Sequence, residues 1–185
     1  MIFLKRMAMG LTALLFIAGL IWLDVYLPYA RTVTITGTEV KRMDEDGPIS
    51  AENPEDGPTR DVYFIFGNTD EGDTLVVRNE DTGWSWPPYF KFDSADMQAV
   101  AQKAGADNQR MAVTTYGWRV KMLSWFPNAI SLKPISTDEY GHSWARIIGF
   151  GLYLMAWGYL IVRFARKRKA SVGQALAVGD ARHDG

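Results

Sequence analysis

Cysteine is absent from all 185 residues. Disulfide staples, thiol redox chemistry and thiolate metal sites are therefore excluded, although an oxidising compartment is not, since it permits disulfides without requiring them. Histidine is nearly as scarce, with two copies. His142 and His183 form no metal-spaced pair, so zinc chemistry lacks support and no cofactor or metal is expected. The chain has no G-x-S-x-G elbow, phosphate loop or dinucleotide fingerprint. Glu80 and Asp81, with Asp93 or Asp96, are candidates for an acid–base pair. Such acids more commonly serve turns and helix starts, so a non-catalytic protein is expected.

A large charge imbalance is lacking too: 20 Lys and Arg against 21 Asp and Glu leave a net charge of −1. That neutrality hides an asymmetry. Acids outnumber bases between Ala30 and Ser143, whereas the two ends hold a surplus of Lys and Arg. An acidic domain meets phosphate backbones poorly, so nucleic acid is not an expected partner.

What the chain does have is two hydrophobic spans, residues 7–29 and 144–164. About 20 apolar residues cross a hydrocarbon core near 30 Å thick. Each span carries basic residues on its terminal side: Lys5 and Arg6 before the first, Arg163 at the end of the second, and Arg166, Lys167, Arg168 and Lys169 after it. The positive-inside rule then predicts two transmembrane helices with both termini in the cytoplasm. Residues 1–6 and the tail, 165–185, are predicted to be cytoplasmic, and the domain at 30–143 extracytoplasmic. Trp22, Tyr26 and Tyr29 gather at the far end of the first span, where amphipathic rings favour the interface. A cleaved signal peptide is the rival reading, but the apolar region is long and Pro28-Tyr29-Ala30 is a poor cleavage site. The basic cluster would attract anionic lipid, and the small, polar residues from Ala170 onward predict a disordered end.

Asp24 and Arg146 are ionisable residues at matching depth in the two spans. A lone charge there is costly, so the two are predicted to face each other as an intramembrane ion pair; a proton or ion path through Asp24 is the alternative. Gly149, Gly151, Ala156 and Gly158 would allow close approach of another helix.

Between the spans, period-two patterning dominates. Strands are predicted at Arg31–Arg42, Asp61–Gly67, Thr74–Arg78, Ala112–Trp125 and Ala129–Ile135. In the fourth, Tyr116, Trp118, Val120 and Met122 would share a face. One helix intervenes, capped by Asp93, with Met97, Val100, Ala101 and Ala104 at helical spacing and Gly105 as its stop. The order β-β-β-α-β-β is that of an OB-type barrel, with an open sheet packed on a helix as the alternative. The fold class expected is thus membrane-anchored α+β, with a small, mostly antiparallel OB-like domain.

Two loops stand out. Residues 43–59 carry Glu-Asp-Gly-Pro twice, at Glu45–Pro48 and Glu55–Pro58, and are expected to be mobile and acidic. The ligand spacing of a calcium loop is missing there and at Asn68–Asp73. The segment Asn79–Asp93 packs Trp84, Trp86, Tyr89, Phe90 and Phe92 around Pro87 and Pro88, which deny it a regular strand or helix. These rings cap a barrel, contact a partner or touch the membrane interface.

The stretch RNEDTGWSWPPYFKFDSADMQAVAQ, followed by YGWRVKMLSWFPN, resembles a family of bacterial inner-membrane proteins known as a domain of unknown function. The resemblance extends from the first span to the second, leaving out the acidic loop and the tail. It implies a bacterial envelope location, which makes the membrane the inner one and the domain at 30–143 periplasmic, and it carries over no catalytic residue. The expected function is an interaction or accessory module in a membrane complex or homo-oligomer. Its candidate contact residues are Trp84, Trp86, Tyr89, Phe90, Phe92, Tyr116 and Trp118. The rival is a domain holding a lipid or small apolar ligand at a barrel mouth, and an envelope enzyme comes third.

Overall fold

Pro28 separates the first helix from the first strand. It lacks the amide that a continuing helix needs and pushes Leu27 toward extended geometry. In the computed structural model, which describes residues 2–44, 49–135 and 143–180, helix α1 (Ile2–Tyr26) ends before it. Tyr29 opens strand β1 (Tyr29–Met43) rather than closing the span. Then follow β2 (Arg60–Thr69), β3 (Thr74–Asn79), α2 (Ser94–Ala106), β4 (Arg110–Tyr116), a short 3-10 turn (Lys121–Leu123), β5 (Asn128–Pro134) and α3 (Trp144–Asp180). His142, His183 and the first Glu-Asp-Gly-Pro copy lie outside the described residues. The second copy is irregular backbone.

The chain divides into two units: Met1–Leu20 with Ile147–Gly185, and Ile21–Arg146. In the first, α1 and α3 meet through rings. Phe16 stacks on Tyr153 at 5.7 Å and stands edge-on to Trp157 at 5.3 Å, while the Tyr153 hydroxyl donates to the Phe16 carbonyl at 2.9 Å. Gly19 leaves the space that the Tyr153 ring occupies, and a Cβ there would overlap it. Two of the glycines of α3 that the sequence nominates, Gly151 and Gly158, have open space around them. Two helical stretches, Arg6–Tyr26 and Trp144–Arg166, are long and apolar enough to cross a membrane. Helix α3 continues to Asp180, where composition predicts disorder. Ala170, Gln174, Ala175, Leu176 and Ala177 supply good helix formers in that stretch.

The second unit holds a closed barrel with strand order β1-β2-β3-β5-β4, the OB-like arrangement. All pairings are antiparallel except the short β3–β5 contact at Arg78 and Asn128. Closure depends on β1 serving two neighbours. Tyr29–Thr34 pairs with β4, and a register shift between Ile35 and Gly37 turns the rest of the strand along β2, which is how a bulge bends a strand at a barrel corner. Val33, Ile35, Ile65, Leu75, Val77, Met111, Val113 and Ala129 fill the interior, joined by Met97, Ala101 and Ala104 of α2. Buried apolar side chains thus occupy the barrel interior, at the density usual for a protein core.

Helix α2 departs from the sequence reading in three ways. Val100 is exposed and Gln98 is buried in its stead, because Gln98 accepts from Asn79 Nδ2 at 3.1 Å and donates to the Phe64 carbonyl at 3.4 Å. Asp93 occupies the N-cap position without a side-chain cap bond. The Asp81 carboxylate instead accepts from the Ser94 amide and hydroxyl, both at 2.9 Å. Gly105 lies inside the last turn rather than ending it. A Cβ there would stand 3.2 Å from the backbone of Gly37, so the glycine answers to packing against the β1 bulge.

Strand β4 also stops earlier than the alternation suggests. Gly117 takes a φ of +90°, a conformation natural to glycine, and its amide donates to the Val25 carbonyl at 2.7 Å. Beyond it the chain folds into a turn closed by a bridge between Val120 and Trp125, not a strand.

Candidate functional site

The aromatic segment between β3 and α2 hangs on a buried polar frame. Asn79, wholly buried at the end of β3, donates to the Ser94 carbonyl at 2.8 Å and accepts from Lys91 Nζ. Lys91 Nζ also donates to the Ala129 carbonyl at 2.9 Å, and the Lys91 amide donates to Thr82 Oγ1 at 3.2 Å. Asn128 closes the frame from β5, accepting from the Glu80 amide at 2.9 Å and donating to its carbonyl at 3.0 Å. A buried amine is tolerated only when hydrogen-bonded. Desolvation pulls the Lys91 pKa down to about 8, with Asp81, Asp93 and Glu80 pulling the other way.

On this frame the candidate rings separate into two groups. Trp84, Phe90 and Phe92 form a cluster, with Trp84 5.5 Å from each of the others. All three are exposed, Trp84 at 83 %. Phe90 holds a φ of +50°, a left-handed conformation that costs a bulky residue about 1 kcal/mol or more. The second group packs against the last turns of α1. Trp86 stacks on Trp22 at 5.4 Å and meets Tyr26 edge-on at 5.7 Å. Tyr89 lies 5.0 Å from Tyr116 and donates its hydroxyl to the Tyr26 carbonyl. Desolvation, then the neighbouring Tyr116, push the Tyr89 pKa up to about 12.

Asp24 and Arg146 form an ion pair. Trp118 Nε1 donates to the other Asp24 oxygen at 2.8 Å, so a ring nominated for partner contact also secures the acid. The acids nominated as a catalytic pair diverge. Glu80 pairs with Arg78 at 3.0 Å and Arg60 at 3.4 Å, while Asp81 caps α2.

Residues missed in the sequence lie in the β4–β5 turn. Met122 is 96 % exposed, and Leu123 and Trp125 are also exposed. Arg119 covers the Phe126 ring at 3.9 Å and donates to the Trp125 carbonyl at 2.9 Å. Beside this turn opens a cleft of about 920 Å³, whose lining includes Arg31, Arg119, Lys121, Asp73, Tyr116 and Trp118. Strand-like alternation masks the turn in the sequence, and the signal for its end is Gly117 alone.

A family model described as "Protein of unknown function (DUF1523)" matches residues 4–168. The chain belongs to this family. A Haemophilus influenzae protein described as "Uncharacterized protein" is 46% identical over 141 residues, covering 75% of this chain and 80% of the relative. No solved structure matches the chain. The DUF1523 match runs through both apolar helices, the barrel and the positions of the acidic loop, and ends within the basic cluster. The aromatic segment, the buried polar frame and the β4–β5 turn all fall inside it.

Proposed function

We propose that the chain is a two-span protein of the bacterial inner membrane whose periplasmic barrel is a non-catalytic binding or accessory module. The exposed Trp84–Phe90–Phe92 cluster is its contact surface for a membrane protein complex or a second copy of the chain. The observation carrying this reading is that cluster: Trp84 beside both Phe90 and Phe92, all three exposed, on a loop tied to the buried polar frame. Aromatic anchors of this kind supply most of the binding energy at protein interfaces. The strain at Phe90 adds weight, since a bulky residue in the left-handed region persists where its surroundings enforce it, often for function. Lys5 and Arg6 at one end and the Arg163–Lys169 cluster at the other support cytoplasmic termini, and with them a periplasmic barrel. The packed interior argues against the apolar-ligand reading.

Trp84 and Phe92 are the residues to change, because Trp86 is bound up with Trp22 and Tyr26. The full chain, purified in mild detergent through a tag on its tail, is expected to retain a stoichiometric membrane protein or a second copy. Trp84→Ala/Phe92→Ala should lose it while the barrel keeps its protease resistance. A chain that purifies alone and monomeric overturns the proposal.

A further inference from the structure

We infer that the β4–β5 turn and the cleft beside it bind anionic phospholipid, with the turn in the acyl boundary and the cleft's cations on the headgroup phosphate. The first support is charge. Acids outnumber bases in this domain, yet Arg31, Arg119 and Lys121 converge on one cleft. Among the described residues none of the three has a carboxylate partner: Arg31 lies over the Tyr29 ring at 4.7 Å, and Arg119 is engaged by a ring and a carbonyl. Two carboxylates also face the cleft. Asp24 is neutralised by Arg146 and hydrogen-bonded by Trp118, and Asp73 offsets one of the three cations. A net positive cleft in an acidic domain suits a phosphate, and guanidinium forks match its oxygens.

The second support is the turn itself. Met122, Leu123 and Trp125 project together with Ser124 at a φ of +50°, and Lys121 and Arg119 flank them. Apolar tips with basic shoulders are the composition of interfacial membrane contacts. The third is location. Gly117 and Trp118 bond to Val25 and Asp24, which belong to the apolar stretch Arg6–Tyr26. The turn therefore begins at the depth where that stretch ends, within reach of headgroups. A lipid rather than a soluble phosphate follows from the apolar tip, which a soluble ligand would leave exposed. This inference uses different residues from the partner surface and stands or falls separately from it, although it shares the reading that α1 spans a membrane.

The full chain reconstituted into vesicles tests it, with brominated phosphatidylglycerol or brominated phosphatidylcholine as quencher. The Trp125 signal is taken as the difference between wild type and Trp125→Phe, so lipid bound at the basic tail does not enter. Quenching by the brominated phosphatidylglycerol is expected to be at least twofold stronger than by the phosphatidylcholine, and Arg31→Gln/Arg119→Gln/Lys121→Gln should abolish that preference. Trp84→Ala/Phe92→Ala should leave it unchanged. Equal quenching by the two lipids, or no Trp125 quenching at all, overturns the proposal. Release of the signal by millimolar glycerol phosphate would assign the cleft to a soluble phosphate and overturn the lipid assignment.

Discussion

Arg146 and Asp24 form an ion pair in which both carboxylate oxygens and both terminal guanidinium nitrogens are engaged. Arg146 reaches the Asp24 carboxylate with one nitrogen and, with another, the carbonyls of Asp24 at 3.3 Å and Leu27 at 3.4 Å, past the end of α1. Trp118 takes the remaining carboxylate oxygen. Helix end, β4–β5 turn and the start of α3 are thereby joined at one acid.

Removing one partner should cost more than removing both. Asp24→Asn leaves a half-buried guanidinium uncompensated and is expected to lower stability by about 1–2 kcal/mol. In the double variant Asp24→Asn/Arg146→Gln the loss should fall short of the sum of the single losses. Unfolding followed by tryptophan fluorescence in detergent measures all four corners of the cycle. Strict additivity would mean the pair contributes nothing of its own.

The stability profile should rise through mildly alkaline pH. With its folded pKa near 8, Lys91 has released a proton that the unfolded chain keeps up to about 10.4. The unfolded state therefore binds more protons in that window, and stability climbs with pH. Tyr89 acts in the opposite sense above about 10, since its folded pKa near 12 lies above the unfolded one. Its share is present at lower pH and lost as pH passes from 10 to 12. Denaturation curves should show Lys91→Met flattening the rise and Tyr89→Phe flattening the fall.

Capping of α2 should depend on Asp81 and not on Asp93. Asp81→Ala removes two hydrogen bonds to Ser94, and an expected cost of about 1–2 kcal/mol follows from known cap deletions. Asp93→Ala, with no side-chain cap bond to lose, should stay within about 0.5 kcal/mol of wild type. Thermal unfolding of the two variants side by side decides it, and equal losses would return the cap to Asp93.

Gly105→Ala should destabilise although it sits in a helix, where alanine is ordinarily the better residue by about 1 kcal/mol. The new methyl would press on the Gly37 backbone at the point where β1 bends. A rise in melting temperature would show that the helix can step away from the strand without cost.

The sequence by itself determined the number and order of the elements. Period-two alternation in β1, the continuous aromatic and β-branched run of β2, and the apolar runs on either side of the domain are local properties that survive in any context. Charge placement likewise identified Asp24 and Arg146 as partners in need of each other. Local pattern was insufficient wherever a residue answers to something distant. Gln98 is buried because Asn79 and Phe64 receive it, Asp81 caps a helix that begins thirteen positions later, and Gly105 serves a bulge in β1. The same holds for the rings. Composition marks Trp84 and Trp86 as alike, but Trp86 stacks on Trp22 of α1 while Trp84 meets only the exposed Phe90 and Phe92 among the described rings. Alternation past Gly117 reads as strand because periodicity reports side-chain spacing and not hydrogen bonding. Only the folded chain, by pairing β1 with both β2 and β4, decides which polar groups find partners and which rings are left facing outward.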